Sequence, residues 1–206
     1  MEKIKNGLKT KEHCMEYQNK KEFFFEKPML LNTFILINEI EEISLIDKLI
    51  EVSRKHLPDS VISNLTNVKA QHTNFHSLNL CPEFHEFLKK IKKDIFKIYP
   101  FNFSINSSWT NFYGKTKTDH AQEHSHNGTT AFCGILYCTD GPGPGTYFSQ
   151  YDINVKEKKG RFILFHPLLL HSVQEFNYQS ERITIAFNMD EVKSWNYANN
   201  SIYSIK

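Results

Sequence analysis

The stretch Phe103-Ser-Ile-Asn-Ser-Ser-Trp-Thr-Asn-Phe-Tyr113 opens the half of the chain that decides the fold. It is rich in aromatic and β-branched residues, the types that suit a pleated, half-buried surface. Further short β-prone segments follow at Thr129–Cys138, Gly145–Tyr151, Arg161–Phe165, His171–Phe176 and Arg182–Asn188. Turn signals separate them: Asn127-Gly128, the run Asp140-Gly-Pro-Gly-Pro-Gly145, and Lys159-Gly160. Many short strands with evenly spaced turns predict a mainly β domain, whether sandwich, jelly roll or barrel.

Working outward toward the N-terminus, the texture changes. Residues 1–27 are polar and rich in Lys and Glu, with an aromatic run at Phe23–Phe25, and read as a loosely ordered arm. Met29–Ile40 reads as a strand. From Glu41 the spacing turns helical, with Ile43, Ile46, Leu49, Ile50 and Ser53 on one face and Leu57-Pro58 as a stop. A second amphipathic helix starts at Pro82. Phe84, Phe87, Leu88, Ile91, Ile95 and Ile98 form its apolar stripe, and Tyr99-Pro100 closes it. Its lysines lie largely off that stripe and read as a solvated face. The expected organisation is thus an arm over 1–27 and a single domain over 28–206, with helical support at 38–100 and a jelly-roll core at 101–190.

Composition excludes several classes. At 206 residues the chain suits one full domain. A formal net charge of +2 is too mild to predict a nucleic-acid partner. No apolar run is long enough to span a bilayer, so no membrane association is expected. The four cysteines (Cys14, Cys81, Cys133 and Cys138) show neither CxxC pairing nor a framework spacing. They read as reduced thiols of a cytoplasmic protein, with Cys133 and Cys138 buried in an apolar run. Oligomeric state has no signature in the sequence.

The chemistry centres on histidine. His124-Ser125-His126 lies just before an expected strand, and alternate strand residues share a face, so the pair can present two imidazoles to one point. Imidazole nitrogen suits Fe, Zn, Cu and Ni. His171, opening a later strand, is the best third ligand. His120 is a looser candidate, and Asp119 and Glu123 stand at the wrong offset to pair with His124. His72, His76 and His85 lack ligand spacing and read as structural or surface residues, and His166 reads as a turn residue.

Order strengthens this reading. Asn111-Phe112-Tyr113 precedes His124-x-His126; His171 follows forty-seven residues after His124, and Arg182 eleven residues after that. With Gly134-Ile-Leu-Tyr137, Gly160-Arg-Phe-Ile-Leu-Phe165 and Glu181-Arg-Ile-Thr-Ile-Ala-Phe187, that order resembles the Fe(II)/2-oxoglutarate oxygenase superfamily, close to its small prolyl-hydroxylase-like members. The resemblance covers about residues 105–190. It implies a double-stranded β-helix (a cupin-like jelly roll) with supporting N-terminal α-helices. It also implies Fe(II) on His124, His126 and His171, with 2-oxoglutarate and O2 as co-substrates. Arg182 would pair with the far carboxylate of 2-oxoglutarate, a role that suits a bidentate, permanently charged fork. Thr184, Tyr113 and Asn111 would add hydrogen bonds. The implied reaction hydroxylates a C–H bond of a polypeptide side chain such as proline, or of a small metabolite, and releases succinate and CO2.

One position departs from the pattern. The family's usual second ligand is Asp or Glu, whereas this chain has His126, so three neutral imidazoles would leave the centre with a charge of +2 instead of +1. Two other readings remain open at this stage: a metal-binding cupin enzyme that does not use 2-oxoglutarate, and a non-catalytic jelly-roll binding module. The substrate loops are expected at Lys115–Gln122, Asp140–Tyr147 and parts of 63–81.

Overall fold

The short strands expected after Pro100 pair, together with strands from the N-terminal part, into two antiparallel sheets. A computed structural model describes residues 13–17, 20–27, 30–57, 67–98, 102–114, 119–126, 130–177 and 179–192, with backbone alone for 13–32 and for Ile98. In chain order the elements are β1 (His13–Tyr17), β2 (Lys20–Lys27), β3 (Leu30–Glu39), α1 (Ile43–Lys55), β4 (Val68–Lys69), β5 (Gln71–His72), α2 (Pro82–Ile98) and β6 (Phe103–Tyr113). There follow β7 (His120–His124), β8 (Phe132–Tyr137), β9 (Thr146–Phe148), β10 (Ile153–Val155), β11 (Arg161–Phe165), β12 (His171–Val173) and β13 (Arg182–Glu191). The larger sheet runs β1-β2-β3-β11-β8-β13-β6-β5 and the smaller β10-β9-β12-β7-β4. This is the expected jelly roll, carried by two N-terminal helices.

Period-two alternation explains how the layers separate. On β11, Phe162 and Leu164 join the core under the helices, while Ile163 and Phe165 join the cluster between the sheets. On β13, Ile183, Ile185, Phe187 and Met189 face the helices, and Arg182 and Thr184 line the opposite side. Both faces of these central strands are therefore covered, which is why they read as near-continuous apolar runs.

The helices seal the outer face. Phe84, Phe87, Leu88, Ile91 and Ile95 of α2 are all buried, as the stripe required, and each full burial contributes on the order of 1.5–3 kcal/mol. Phe187 of β13 packs edge-on against Phe84 and Phe87, with ring centroids 5.6 and 5.9 Å apart. Two buried polar contacts also tie the helices to strands: Asn38 Nδ2 donates to Asp94 Oδ2 (2.8 Å), and the hydroxyls of Ser53 and Thr110 meet at 2.7 Å. Gly134 sits opposite Phe187 in the β8–β13 ladder, and a Cβ there would come within 2.0 Å of the Phe187 ring.

Several boundaries differ from expectation. Within 1–27, β1 and β2 pair and extend the larger sheet from β3, where a loosely ordered arm was expected. The aromatic run at Phe23–Phe25 lies on β2, and strand propensity there outweighs the polar composition around it. The expected loop Lys115–Gln122 is partly strand: β7 begins at His120, while 115–118 lie outside the described residues. The 63–81 connection contributes β4 and β5, with 58–66 likewise outside. Strands β8, β9 and β12 are shorter than the apolar runs that announced them. Among the described residues no helix is long and apolar enough to cross a membrane.

Candidate metal centre

Between the two sheets lies a cleft open to solvent. Its walls come from β6, β8, β11 and β13 on one side and β7, β9 and β12 on the other, and they include all seven residues singled out by sequence.

His124, His126 and His171 converge there. Their potential ligand atoms all lie within 4.8 Å of one another, and they form the one such cluster of His, Cys, Asp or Glu among the described residues. Two of them meet by strand pairing: His124 stands directly opposite His171 in the β7–β12 ladder, with ring centroids 4.3 Å apart. Directly paired residues share a sheet face. The third arrives differently. Strand β7 ends at His124, so His126 does not share its face through pleat alternation, as the sequence reading supposed. Instead the His126 N–H donates at 2.7 Å to the carbonyl of Pro167, in the turn between β11 and β12. Its ring then lies 5.3 Å from each of the other two.

Tautomers follow from the neighbours. A carbonyl oxygen only accepts, so Nδ1 of His124 carries a proton toward Gln122 O (2.7 Å), and Nδ1 of His171 carries one toward Leu169 O (3.0 Å). Their Nε2 lone pairs remain as ligand atoms, oriented by the bonds on the far side of each ring. Burial pushes His171 down to about 3 and His126 to about 4, with neighbouring imidazoles adding to the effect, and burial also lowers His124. All three are neutral at pH 7, the form that binds metal. The donor set therefore fits a borderline divalent cation such as Fe(II).

At the other end of the cleft the ladder is regular. Arg182 stands opposite Tyr113, and Thr184 opposite Asn111, across β13 and β6. Asn111 Nδ2 donates to Thr184 Oγ1 at 3.4 Å, and Asn111 Oδ1 accepts from Trp109 Nε1 at 3.1 Å. The Arg182 guanidinium lies 4.4 Å from the centre of the Tyr113 ring, a cation–π arrangement.

Other candidates fall away. Asp119 is buried but accepts from the Gly114 N–H (2.8 Å), and His120 faces Glu175 at 3.6 Å. His85 bonds the Asn79 carbonyl (2.7 Å), and His166 accepts from the Leu168 N–H (3.3 Å). His72 is buried at the cross-strand position to Asn111, its Nδ1 on Thr73 O (2.9 Å). Cys133 and Cys138 are buried thiols, and burial raises Cys138 to about 12.

Sequence reasoning missed Glu157. It is buried and ion-paired with Arg182. It stands in Lys156-Glu-Lys-Lys-Gly160, whose composition reads as a solvated turn. No sequence signal separates it from its charged neighbours.

No family model matches the chain, and no curated protein matches it. Solved structures do. The non-haem α-ketoglutarate-dependent carbocyclase SnoK from nogalamycin biosynthesis is 11% identical with a TM-score of 0.63, over 76% of this chain and 79% of that one. A prolyl-4-hydroxylase from Pseudomonas putida is 13% identical with a TM-score of 0.57, over 77% and 93%. HygX from Streptomyces hygroscopicus, solved with nickel and 2-oxoglutarate bound, is 10% identical with a TM-score of 0.58, over 77% and 83%. At these identities the likeness is one of architecture: this chain is built on the double-stranded β-helix of the 2-oxoglutarate-dependent non-haem iron oxygenases.

Proposed function

We propose that the chain is an Fe(II)- and 2-oxoglutarate-dependent dioxygenase that hydroxylates a C–H bond. One observation carries the reading: three neutral imidazoles and a buried arginine line the same cleft, in a fold whose solved neighbours include 2-oxoglutarate-dependent enzymes. His124, His126 and His171 would hold the metal on one face and leave positions open for small ligands. Bound Fe(II) and 2-oxoglutarate would supply the oxidation, one atom of O2 ending in succinate and the other in the hydroxylated product, with CO2 released.

The protein's share is placement and charge. Arg182, in surroundings that exclude water, offers a fixed cation to the far carboxylate of the co-substrate. Thr184, Tyr113 and Asn111 offer hydroxyl and amide groups beside it. Trp109 and Phe165 wall the cleft, and Phe165 packs against the His171 ring at 4.7 Å, limiting water there. The substrate class proposed is a polypeptide side chain, proline among them, or a small metabolite; the neighbours include a prolyl-4-hydroxylase and an enzyme of nogalamycin biosynthesis. The free cysteines Cys81, Cys133 and Cys138 support a reducing compartment, the cytoplasm, as the working location.

Calorimetric titration of 2-oxoglutarate into Mn(II)-loaded protein, with metal analysis of the protein as purified, tests the proposal. Saturable, metal-dependent binding is expected. Metal binding without 2-oxoglutarate binding would favour a cupin-type enzyme, and binding of neither would leave a jelly-roll module.

A further inference from the structure

Arg182 is 3% exposed, and its guanidinium sits against two aromatic rings, 4.4 Å from the centre of Tyr113 and 5.7 Å from that of Tyr137. Its Nε pairs with Oε1 of Glu157, which is also buried; the two side chains are 2% and 1% exposed. Burying two charges is costly, and a pair that close is kept where both charges are held in place.

The surroundings of Glu157 are built to keep it there. It leaves β10 two residues after Val155 and turns inward, although its neighbours Lys156 and Lys158 face solvent. The backbone N–H of Gly145 donates to its carboxylate. Its Oε2 lies 2.7 Å from where a Cβ on Gly141 would stand, and a Cβ on Gly145 (φ +76°) would come within 2.1 Å of the Val155 carbonyl. Glycine is required at 145 by the left-handed backbone and the Val155 carbonyl, and its small size at 141 leaves the carboxylate end its place under the Asp140–Gly145 loop. The Gly/Pro run that reads as a tight loop in the sequence thus encloses a charge.

We propose that Glu157 is a positioning residue for Arg182: it clasps the guanidinium at Nε from the side of the Gly141–Gly145 loop, and so holds the terminal nitrogens for the far carboxylate of a diacid in the cleft. This rests on the co-substrate reading above. It also balances the charge. With histidine where a carboxylate ligand would stand, a divalent metal, Arg182, Glu157 and a diacid together sum to zero, so the negative charge absent from the metal end is present at the anchor end.

The alternative is that Glu157 competes for Arg182 and holds the diacid off. The two roles differ in sign. On Coulomb attraction alone, neutralising Glu157 leaves the cleft one unit more positive and tightens a diacid. If Glu157 positions Arg182, losing the clasp weakens it.

The test is calorimetric titration of N-oxalylglycine, a 2-oxoglutarate analogue, into the Mn(II)-loaded full chain as wild type, Glu157→Gln and Glu157→Asp, with Mn(II) affinity measured separately. The expected result is about a tenfold loss of analogue affinity in Glu157→Gln, since a neutral acceptor makes a weaker bond. A loss of similar size is expected in Glu157→Asp, which keeps the charge and shortens the reach. Mn(II) affinity should stay unchanged in both. Should Glu157→Gln fail to fold, Glu157→Asp decides. Analogue affinity equal to or tighter than wild type in the folded variants overturns the positioning role and leaves the co-substrate reading standing. A wild type that binds Mn(II) but no analogue overturns both.

Discussion

The two ends of the cleft are assembled by different means. At the anchor end, Arg182, Thr184, Asn111 and Tyr113 occupy consecutive same-face positions of two long strands, in a stretch of ladder whose register shift falls further on, between Asn188 and Met189. At the metal end, three histidines are gathered from a three-residue strand, the last residue of a five-residue strand and the turn beyond it, with a register shift between His171 and Val173. Regular ladders place side chains by pleat alone, whereas short strands and bulges place them through particular tertiary bonds. The anchor therefore inherits the rigidity of the larger sheet, and the metal end depends on a few contacts such as His126 N–H to Pro167 O.

The sharpest way to break this contrast is at the metal end. His171→Ala removes one of three ligands, and metal retention after desalting, with succinate formation in the absence of substrate, is expected to vanish. His85→Ala, whose ring bonds the Asn79 carbonyl away from the cleft, should leave both intact. Equal behaviour of the two variants would dissolve the assignment of the triad.

At the other end, Arg182→Lys keeps a charge but loses the planar fork. Affinity for 2-oxoglutarate on the Mn(II)-loaded protein should fall about 10- to 100-fold while metal retention is unchanged. A variant that instead lost metal would show that the two ends are not separable.

Acid sharpens the comparison without mutation. In the unfolded chain an imidazole protonates below about pH 6.5, whereas burial holds folded His126 to about 4 and His171 to about 3. Between those values the unfolded state carries more protons, so stability falls as pH falls. At pH 5 the loss is roughly 2 kcal/mol for His171 and less for the more exposed His126. Thermal unfolding in the presence of chelator measures it, and a profile flat from pH 7 to pH 5 would contradict the burial of these rings.

The smallest effect is expected in the packing between the larger sheet and the helices. Gly134→Ala drives a methyl into the Phe187 ring and should cost about 1–3 kcal/mol in denaturant unfolding, with metal affinity preserved.

Much of this was legible because the larger sheet is periodic. The apolar runs at Arg161–Phe165 and Arg182–Asn188 announced strands, and the spacing Arg182-x-Thr184 puts both residues on one strand face. The stripe on α2 was equally plain. The route taken by His126 was not, because it is set by one backbone bond to a residue some forty positions away. Strands β1 and β2 were masked by a polar composition that says nothing of an open sheet edge.

Local pattern, then, determined the strand-rich architecture and the helical backing, since pleat and helix periods are properties of neighbouring residues. The histidines and the arginine were picked out by a resemblance in the order of distant motifs. Tertiary structure alone decided that Glu157, one charged residue among lysines, turns inward to meet Arg182. Burying a carboxylate is favourable only where a cation and backbone donors already wait, and that condition is met by segments distant in sequence.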